Sequence, residues 1–343
     1  MRLLLLSLAL LATPAFAQTE AAPPKRYELP NTQVLTIHSD KLGRDYELYV
    51  WLPPSYGSSP DRKYPVIFTT DAPQSFPLMT NLHRRLRASE RGMEDAIIVG
   101  LGYAVGDTGE YSRRRDYTPS VFGDIDARSD MPGRPVKYGE AEQYRLHLKE
   151  EVFPFLESRF RIDPAQRIYA GHSYGGLFGT YVLFVDPTMF EKYILMSPSL
   201  WYGRRQMIGQ ERGYAAGHKD LPAEVYFMIG SEETVPDPDS EPFSSSRMAM
   251  VEDMDEIVKM LKSRNYPSLK VQSRIFPGED HGSVYPDAIR AGMEWAIAGS
   301  GKRPHVPCDT PGCRLPWKAA PVTGPVTAPE AASPPASAPN PKP

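Results

Sequence analysis

The sequence predicts an α/β protein, a mostly parallel eight-stranded sheet with helices on both faces and a leading antiparallel strand pair. Three observations carry this. Two runs rich in β-formers, joined by a short turn, open the folded part. Buried-strand runs then alternate with segments of helical period up to about residue 297. Within that alternation a Gly-x-Ser-x-Gly stretch, Gly171 to Gly175, falls between a strand-like and a helix-like segment.

Gln33–Ser39 (QVLTIHS) and Arg44–Leu52 (RDYELYVWL) pair across the turn Asp40-Lys41-Leu42-Gly43. The Pro, Gly and Ser of PPSYGSSPDRK mark a loop. The continuous apolar strand PVIFTTD (Pro65–Asp71) follows it. Residues 79–91 read as a helix and DAIIVG (Asp95–Gly100) as a buried strand. Glu140–Phe160 sets Tyr144, Leu146, Val152, Phe155 and Leu156 at helical spacing. RIYAGH, from Arg167, is a strand, and Gly176–Val185 a helix. KYILMSP (Lys192–Pro198) and EVYFMIG (Glu224–Gly230) are strands, and Met248–Leu261 a helix. LKVQSRIF (Leu269–Phe276) is the last strand and Tyr285–Ile297 the last helix.

The ends read differently. Arg2, the apolar run Leu3–Ala12 and Ala15-Phe16-Ala17 make residues 1–17 an export leader cut after Ala17. A periplasmic or secreted protein is therefore expected, with no membrane span once the leader is removed. Residues 18–30 are a loose lead-in, and 31–300 form one domain. An extension at 301–318 holds the two cysteines, Cys308 and Cys313, expected as a small disulfide loop in an oxidising compartment. Proline-rich residues 319–343 carry too little apolar surface to offset the entropy of ordering. A formal charge of −3 argues against nucleic acid as a partner. Gly100-Leu101-Gly102 lacks a third glycine at position 105, so no dinucleotide is expected. Neither metal nor other cofactor is predicted, and nothing in the sequence indicates an oligomeric state.

A serine between two glycines at a strand-to-helix junction suits a sharp turn that lifts its hydroxyl above the sheet. Ser173 is thus the candidate nucleophile, with the Tyr174 N–H as one oxyanion donor. The second donor comes from the loop after PVIFTTD, from the backbone of Ala72 or Gln74, since Pro73 has no N–H. Of seven histidines, His281 follows the last strand, where the base belongs in this order. His172, inside the turn, is expected to pack beneath it. The acid belongs after EVYFMIG: Glu233 first, Glu232 second, Asp237 and Asp239 further along, or none, leaving a Ser–His pair. Arg114 and Arg115, in the run Arg113-Arg114-Arg115 before Asp116, are candidates for an anion-binding cleft wall. They would otherwise be a solvated cluster or an anchor for Asp116. Trp201 and Tyr202 are candidates for stacking on substrate, or for packing the loop.

With these residues placed, the chain resembles the putative esterase family of α/β-hydrolases, above all the siderophore trilactone esterases. The resemblance rests on IIVGLGY, RRRDYTPS, FLESRFRID, GHSYGGLFGTYVL, FEKYILMSPSLWYG and FPGEDHGSVYP, and covers roughly Gln33 to Ala298. It implies an α/β-hydrolase fold, Ser173 and His281 as catalytic residues, and a small-molecule ester as substrate. It departs where relatives often have Asp-Gly and this chain has Asp71-Ala72-Pro73. The expectation is a serine esterase working through an acyl-enzyme. The alternatives are an acyltransferase of the same fold and a non-catalytic binding protein.

Overall fold

The structure is a computed structural model and describes residues 27–89, 92–122, 129–235 and 248–298. The leader, most of the lead-in, Cys308, Cys313, the tail, Asp237 and Asp239 lie outside the described residues. Eight strands form one sheet: β1 (Thr32–Ser39), β2 (Arg44–Trp51), β3 (Tyr64–Thr69), β4 (Ile97–Ala104), β5 (Ile162–His172), β6 (Lys192–Met196), β7 (Glu224–Gly230) and β8 (Lys270–Phe276). Their spatial order is β1-β2-β4-β3-β5-β6-β7-β8. β1 and β2 pair antiparallel, β2 joins β4 antiparallel, and every later pairing is parallel. The leading pair and the parallel remainder match the expected architecture.

The central strands read as unbroken apolar runs because both faces are covered. Every residue of β3 is buried, and its side chains alternate between two cores. Val66 and Phe68 join Val99, Tyr169 and Phe178 on one face, while Ile67 joins Ile98, Ile168 and Met228 on the other.

Among the helices, α1 (Ala72–Arg87) starts seven residues before the expected 79–91. Asp71 takes a left-handed conformation, φ 57°, that turns the chain directly from β3 into the helix. Pro73 then sits in the first turn, where a missing N–H costs nothing. The long segment at 140–160 is α3 (Ala141–His147) and α4 (Phe153–Glu157), joined through a π-helical turn at Leu148–Val152.

Two further helices had no signal in the periodicity. α2 (Gly109–Asp116) is almost wholly polar and is started by Thr108, whose hydroxyl accepts from Tyr111 N–H at 3.2 Å. α6 (Tyr202–Gly217) carries four glycines and opens with three left-handed residues, Gly203 to Arg205. α5 (Tyr174–Val185), apolar on nearly all sides, packs deep against β5 and β6, and α7 (Met250–Ser263) and α8 (Val284–Ala296) complete the layers. Among the described residues no helix is long and apolar enough to cross a membrane.

Candidate active site

β5 ends at His172 and α5 begins at Tyr174, so Ser173 alone makes the turn, at φ 58° and ψ −118°. That backbone conformation is strained for any residue with a Cβ. Its flanking glycines answer to contacts. A Cβ on Gly171 would lie 2.5 Å from the Gly175 carbonyl carbon, and one on Gly175 would lie 2.2 Å from Thr70 Oγ1. The turn is held from both sides: Ser173 N–H donates to Met196 O at 3.0 Å, and Ser199 N–H donates to Ser173 O at 3.1 Å. The Ser173 hydroxyl lies 3.4 Å from that of Ser199. Tyr174 N–H, first in α5, has no intrahelical acceptor and opens at the positive end of the helix.

Two residues that follow β7 and β8 meet next to the turn. A 3₁₀ turn at Ser231–Glu233 drives Glu233 fully into the interior. One carboxylate oxygen, Oε1, accepts from Ser197 Oγ at 2.7 Å and Gly230 N–H at 2.9 Å. The other, Oε2, lies 2.6 Å from His281 Nδ1. Glu232 is exposed and contacts Ser231 Oγ instead, so Glu233 is the glutamate that reaches the histidine. Asp280, next to His281, accepts from the N–H groups of Gly282 and Ser283, both at 2.8 Å, and fixes the loop.

His172 does not pack beneath the turn as expected. Its Nε2–H donates to the His281 backbone carbonyl at 2.9 Å, and the two rings lie 4.6 Å apart. Burial holds it well below the ordinary histidine range, and His281 and Arg113 push it further down. It is a neutral wall of a cavity of 330 Å³, with Asp71, Gln74, Tyr103, Glu110, Arg113 and Tyr285. A larger cavity, 520 Å³, lies by Tyr266 and Trp295 and includes none of these residues.

The sequence profile of the family described as "Putative esterase" matches residues 39–267. The chain belongs to that family. It is an ester-hydrolysing enzyme. It is 27% identical over 296 residues to the ferri-bacillibactin esterase BesA of Bacillus subtilis, covering 84% of this chain and 96% of that one. It is 25% identical to the siderophore triacetylfusarinine C esterase of Aspergillus fumigatus, over 81% of this chain and 99% of that one. Among solved structures, the BES protein from Bacillus cereus superimposes with a TM-score of 0.67 at 28% identity, over 81% of this chain and all (100%) of that one. The siderophore hydrolase EstB from Aspergillus nidulans shares the fold at a TM-score of 0.66 and 24% identity, over 80% of this chain and 98% of that one.

Within this esterase the arginine run resolves differently from expectation. Arg113, not Arg114 or Arg115, faces the cavity. Its Nε lies 2.9 Å from Asp71 Oδ1, and its guanidinium lies 5.6 Å over the Tyr174 ring. Asp71 also accepts from Tyr103 OH at 2.9 Å; burial pushes its carboxyl up, and Arg113 pulls it back down. Arg115 points into the interior, where it binds Asp107 at 2.6 Å and Asp116 at 2.8 Å. It is an anchor for Asp116, not a cleft wall. Arg114 sits outside the cavity lining, 3.6 Å from Glu110 and 3.9 Å from Asp130.

Two other expectations are corrected in the same way. Tyr202 is buried, its hydroxyl 2.8 Å from the carbonyls of both Ser120 and Phe122, so it packs the fold and cannot stack on substrate. Trp201 stays half-buried, its ring 6.2 Å from that of Tyr174. Gln74 N–H is spent on Asp71 O at 3.0 Å, which leaves Ala72 N–H, at the head of α1, as the backbone donor from this loop. The Gln74 side chain, by contrast, lines the cavity.

Sequence reading missed Asp71, Tyr103, Arg113 and Tyr285 as cavity residues. The three arginines are told apart only once their helix is known. Three consecutive arginines on a helix point about 100° apart, so they cannot share a face.

Proposed function

We propose that the protein is an exported serine esterase that cleaves the carboxylic esters of siderophores through an acyl-enzyme on Ser173. The single observation that carries the mechanism is the fully buried Glu233, 2.6 Å from Nδ1 of His281, whose backbone carbonyl is held by His172, the residue before the strained serine. A carboxylate there keeps the Nδ1 proton in place and leaves Nε2 free to accept. Ser173 then loses its hydroxyl proton to His281 Nε2 as its oxygen bonds to the ester carbonyl carbon. The carbon–oxygen bond to the alcohol breaks, and the leaving alkoxide takes the proton from His281. Water, activated by the same imidazole, releases the acid and restores Ser173.

The carbonyl oxygen becomes an anion in both steps. The Tyr174 and Ala72 N–H groups and the Arg113 guanidinium are its proposed stabilisers, each worth roughly 3 kcal/mol. Asp71 fixes that guanidinium at the cost of a second charge, so the pair is rigid and close to neutral before substrate binds. Hydroxylated rims from Tyr103 and Tyr285 suit a polar aromatic acyl group. The substrate class is supported by the siderophore esterases among the curated relatives. The export reading is supported by the leader pattern of residues 1–17.

The test is hydrolysis of a panel of siderophore lactones, acetylated sugars and feruloyl esters by wild type and Ser173→Ala. Turnover of the siderophore esters, lost in the variant with the fold intact, is the expected result. A transfer product in the presence of added alcohol would instead favour an acyltransferase. Absence of any turnover, together with failure of a fluorophosphonate to label Ser173, would favour a binding protein. Cell fractionation with sequencing of the mature N-terminus tests export, with Gln18 expected as the first residue.

A further inference from the structure

The corner after β6 touches both ends of the proposed relay. Towards the serine, Met196 O accepts from Ser173 N–H at 3.0 Å and Ser199 N–H donates to Ser173 O at 3.1 Å. Pro198 lies so close to α5 that a Cβ on Gly176 would come within 2.8 Å of its Cα. Towards the acid, Ser197 N–H donates to Met228 O of β7 at 2.7 Å, and Ser197 Oγ donates to Glu233 Oε1 at 2.7 Å. Ser197 is completely buried and left-handed, at φ 40°.

That backbone conformation would suit glycine better. A serine is held there against strain, and among the described residues its hydroxyl is hydrogen-bonded to the Glu233 carboxylate. A buried carboxylate needs donors on both oxygens and can otherwise swing about its last bond. Gly230 N–H and Ser197 Oγ together claim Oε1, which commits Oε2 to His281.

We infer that Ser197 is a positioning residue of the reaction: its hydroxyl fixes the Glu233 carboxylate so that Oε2 faces His281, while the corner it belongs to sets the distance from that carboxylate to Ser173. This rests on the proposed Ser173–His281–Glu233 relay. Ser197 touches no substrate and acts only through Glu233.

The experiment is a double-mutant cycle with Ser197→Gly and Glu233→Ala on a short-chain p-nitrophenyl ester, with folding followed by circular dichroism. Glycine relieves the backbone and removes the small CH2OH side chain, so a purely structural role predicts normal activity. The expected result is a folded Ser197→Gly with kcat lower by about 10- to 100-fold and KM unchanged. In the Glu233→Ala background the same change should cost less than two-fold. Ser197→Ala, which keeps a Cβ, should behave alike and serves if the glycine variant does not fold. A Ser197→Gly kcat within two-fold of wild type overturns the inference, as does full multiplication of the two losses. A Glu233→Ala with unchanged kcat overturns the relay itself, and the inference with it.

Discussion

Replacing Glu233 by glutamine should abolish most activity while leaving the fold almost untouched, and the structure dictates why. Glu233 Oε1 receives two donors, Ser197 Oγ and Gly230 N–H, and a backbone N–H can only donate. The glutamine carbonyl must therefore take the Oε1 place, which puts its NH₂ where Oε2 now lies, 2.6 Å from His281 Nδ1. To avoid two donors facing each other, Nδ1 must give up its proton and the imidazole must carry it on Nε2. That nitrogen is the one proposed to receive the Ser173 proton. The expected loss in kcat is about 10³- to 10⁴-fold, or about 4–5.5 kcal/mol of barrier. Stability should fall by less than about 1 kcal/mol, because shape and hydrogen-bond count are kept. Glu233→Ala should reverse the ranking. It strands the Ser197 hydroxyl, the Gly230 N–H and the His281 Nδ1–H in the interior, costing about 2–4 kcal/mol of stability. It leaves the imidazole free to choose its tautomer, so it should retain more activity than glutamine. Steady-state kinetics on a p-nitrophenyl ester with parallel urea denaturation read both quantities. A glutamine variant within ten-fold of wild-type kcat, or more active than alanine, would refute the reasoning.

Further outcomes follow from the strained serine, the arginines and the buried histidines. Ser173→Gly should be inactive yet melt about 2–4 °C higher, since φ 58° suits glycine and about 1 kcal/mol of strain is released; an unchanged or lower melting temperature counts against strain at the turn. Arg113→Ala should lower kcat by about 100-fold, with a smaller loss of stability than Arg115→Ala, because the Asp71 left behind keeps the Tyr103 hydroxyl and borders a cavity. Arg115→Ala should instead cost about 3 kcal/mol or more in denaturation, because Asp107 and Asp116 stay buried; kinetics and urea midpoints that swapped these two effects would contradict the assignment. His83, His147 and His172 are each held below the ordinary histidine value by burial. Below about pH 6.5 the unfolded chain therefore takes up protons that the folded chain does not. Stability should then fall as pH drops, by up to about 1.4 kcal/mol per pH unit for each histidine. Equal urea midpoints at pH 7.5 and 5.5 would exclude this.

The sheet was legible because its signal is redundant. A strand such as YPVIFT is buried at every position and apolar from Pro65 to Phe68, and no helix of that length would follow a proline-containing loop and end in Thr-Thr-Asp. α2 was not legible for the opposite reason: GEYSRRRD has hardly any apolar residue, and its helix is secured by the Thr108 cap and by ion pairs of Arg113 to Asp71 and of Asp116 to Arg44, far away in the chain. Its absence from the sequence reading had a direct consequence. Without the helix, Arg113, Arg114 and Arg115 looked equivalent; with it, one faces the cavity, one the surface and one the interior. The glutamate pair was open for a similar reason. Nothing in Ser231-Glu232-Glu233 tells which carboxylate turns inward until the 3₁₀ turn is known.

The part of the site least visible in sequence is its backbone. Asp71, Ser173 and Ser197 follow β3, β5 and β6, three neighbouring strands of the sheet, and all three have a positive φ, at 57°, 58° and 40°. None is glycine, so each carries a cost of order 1–3 kcal/mol that the rest of the fold must offset. Each also has a side chain with work to do that glycine could not perform. Asp71 holds Arg113, Ser173 is the proposed nucleophile, and Ser197 meets Glu233. Sequence rules assign positive φ to glycine and asparagine, and so they pass over such positions. The positive φ turns each chain sharply off the end of its strand, and the three side chains meet Arg113, Ser199 and Glu233. Glycine at any of the three would ease the fold and remove a functional group, which is why side-chain identity and backbone geometry have to be tested separately at each of them.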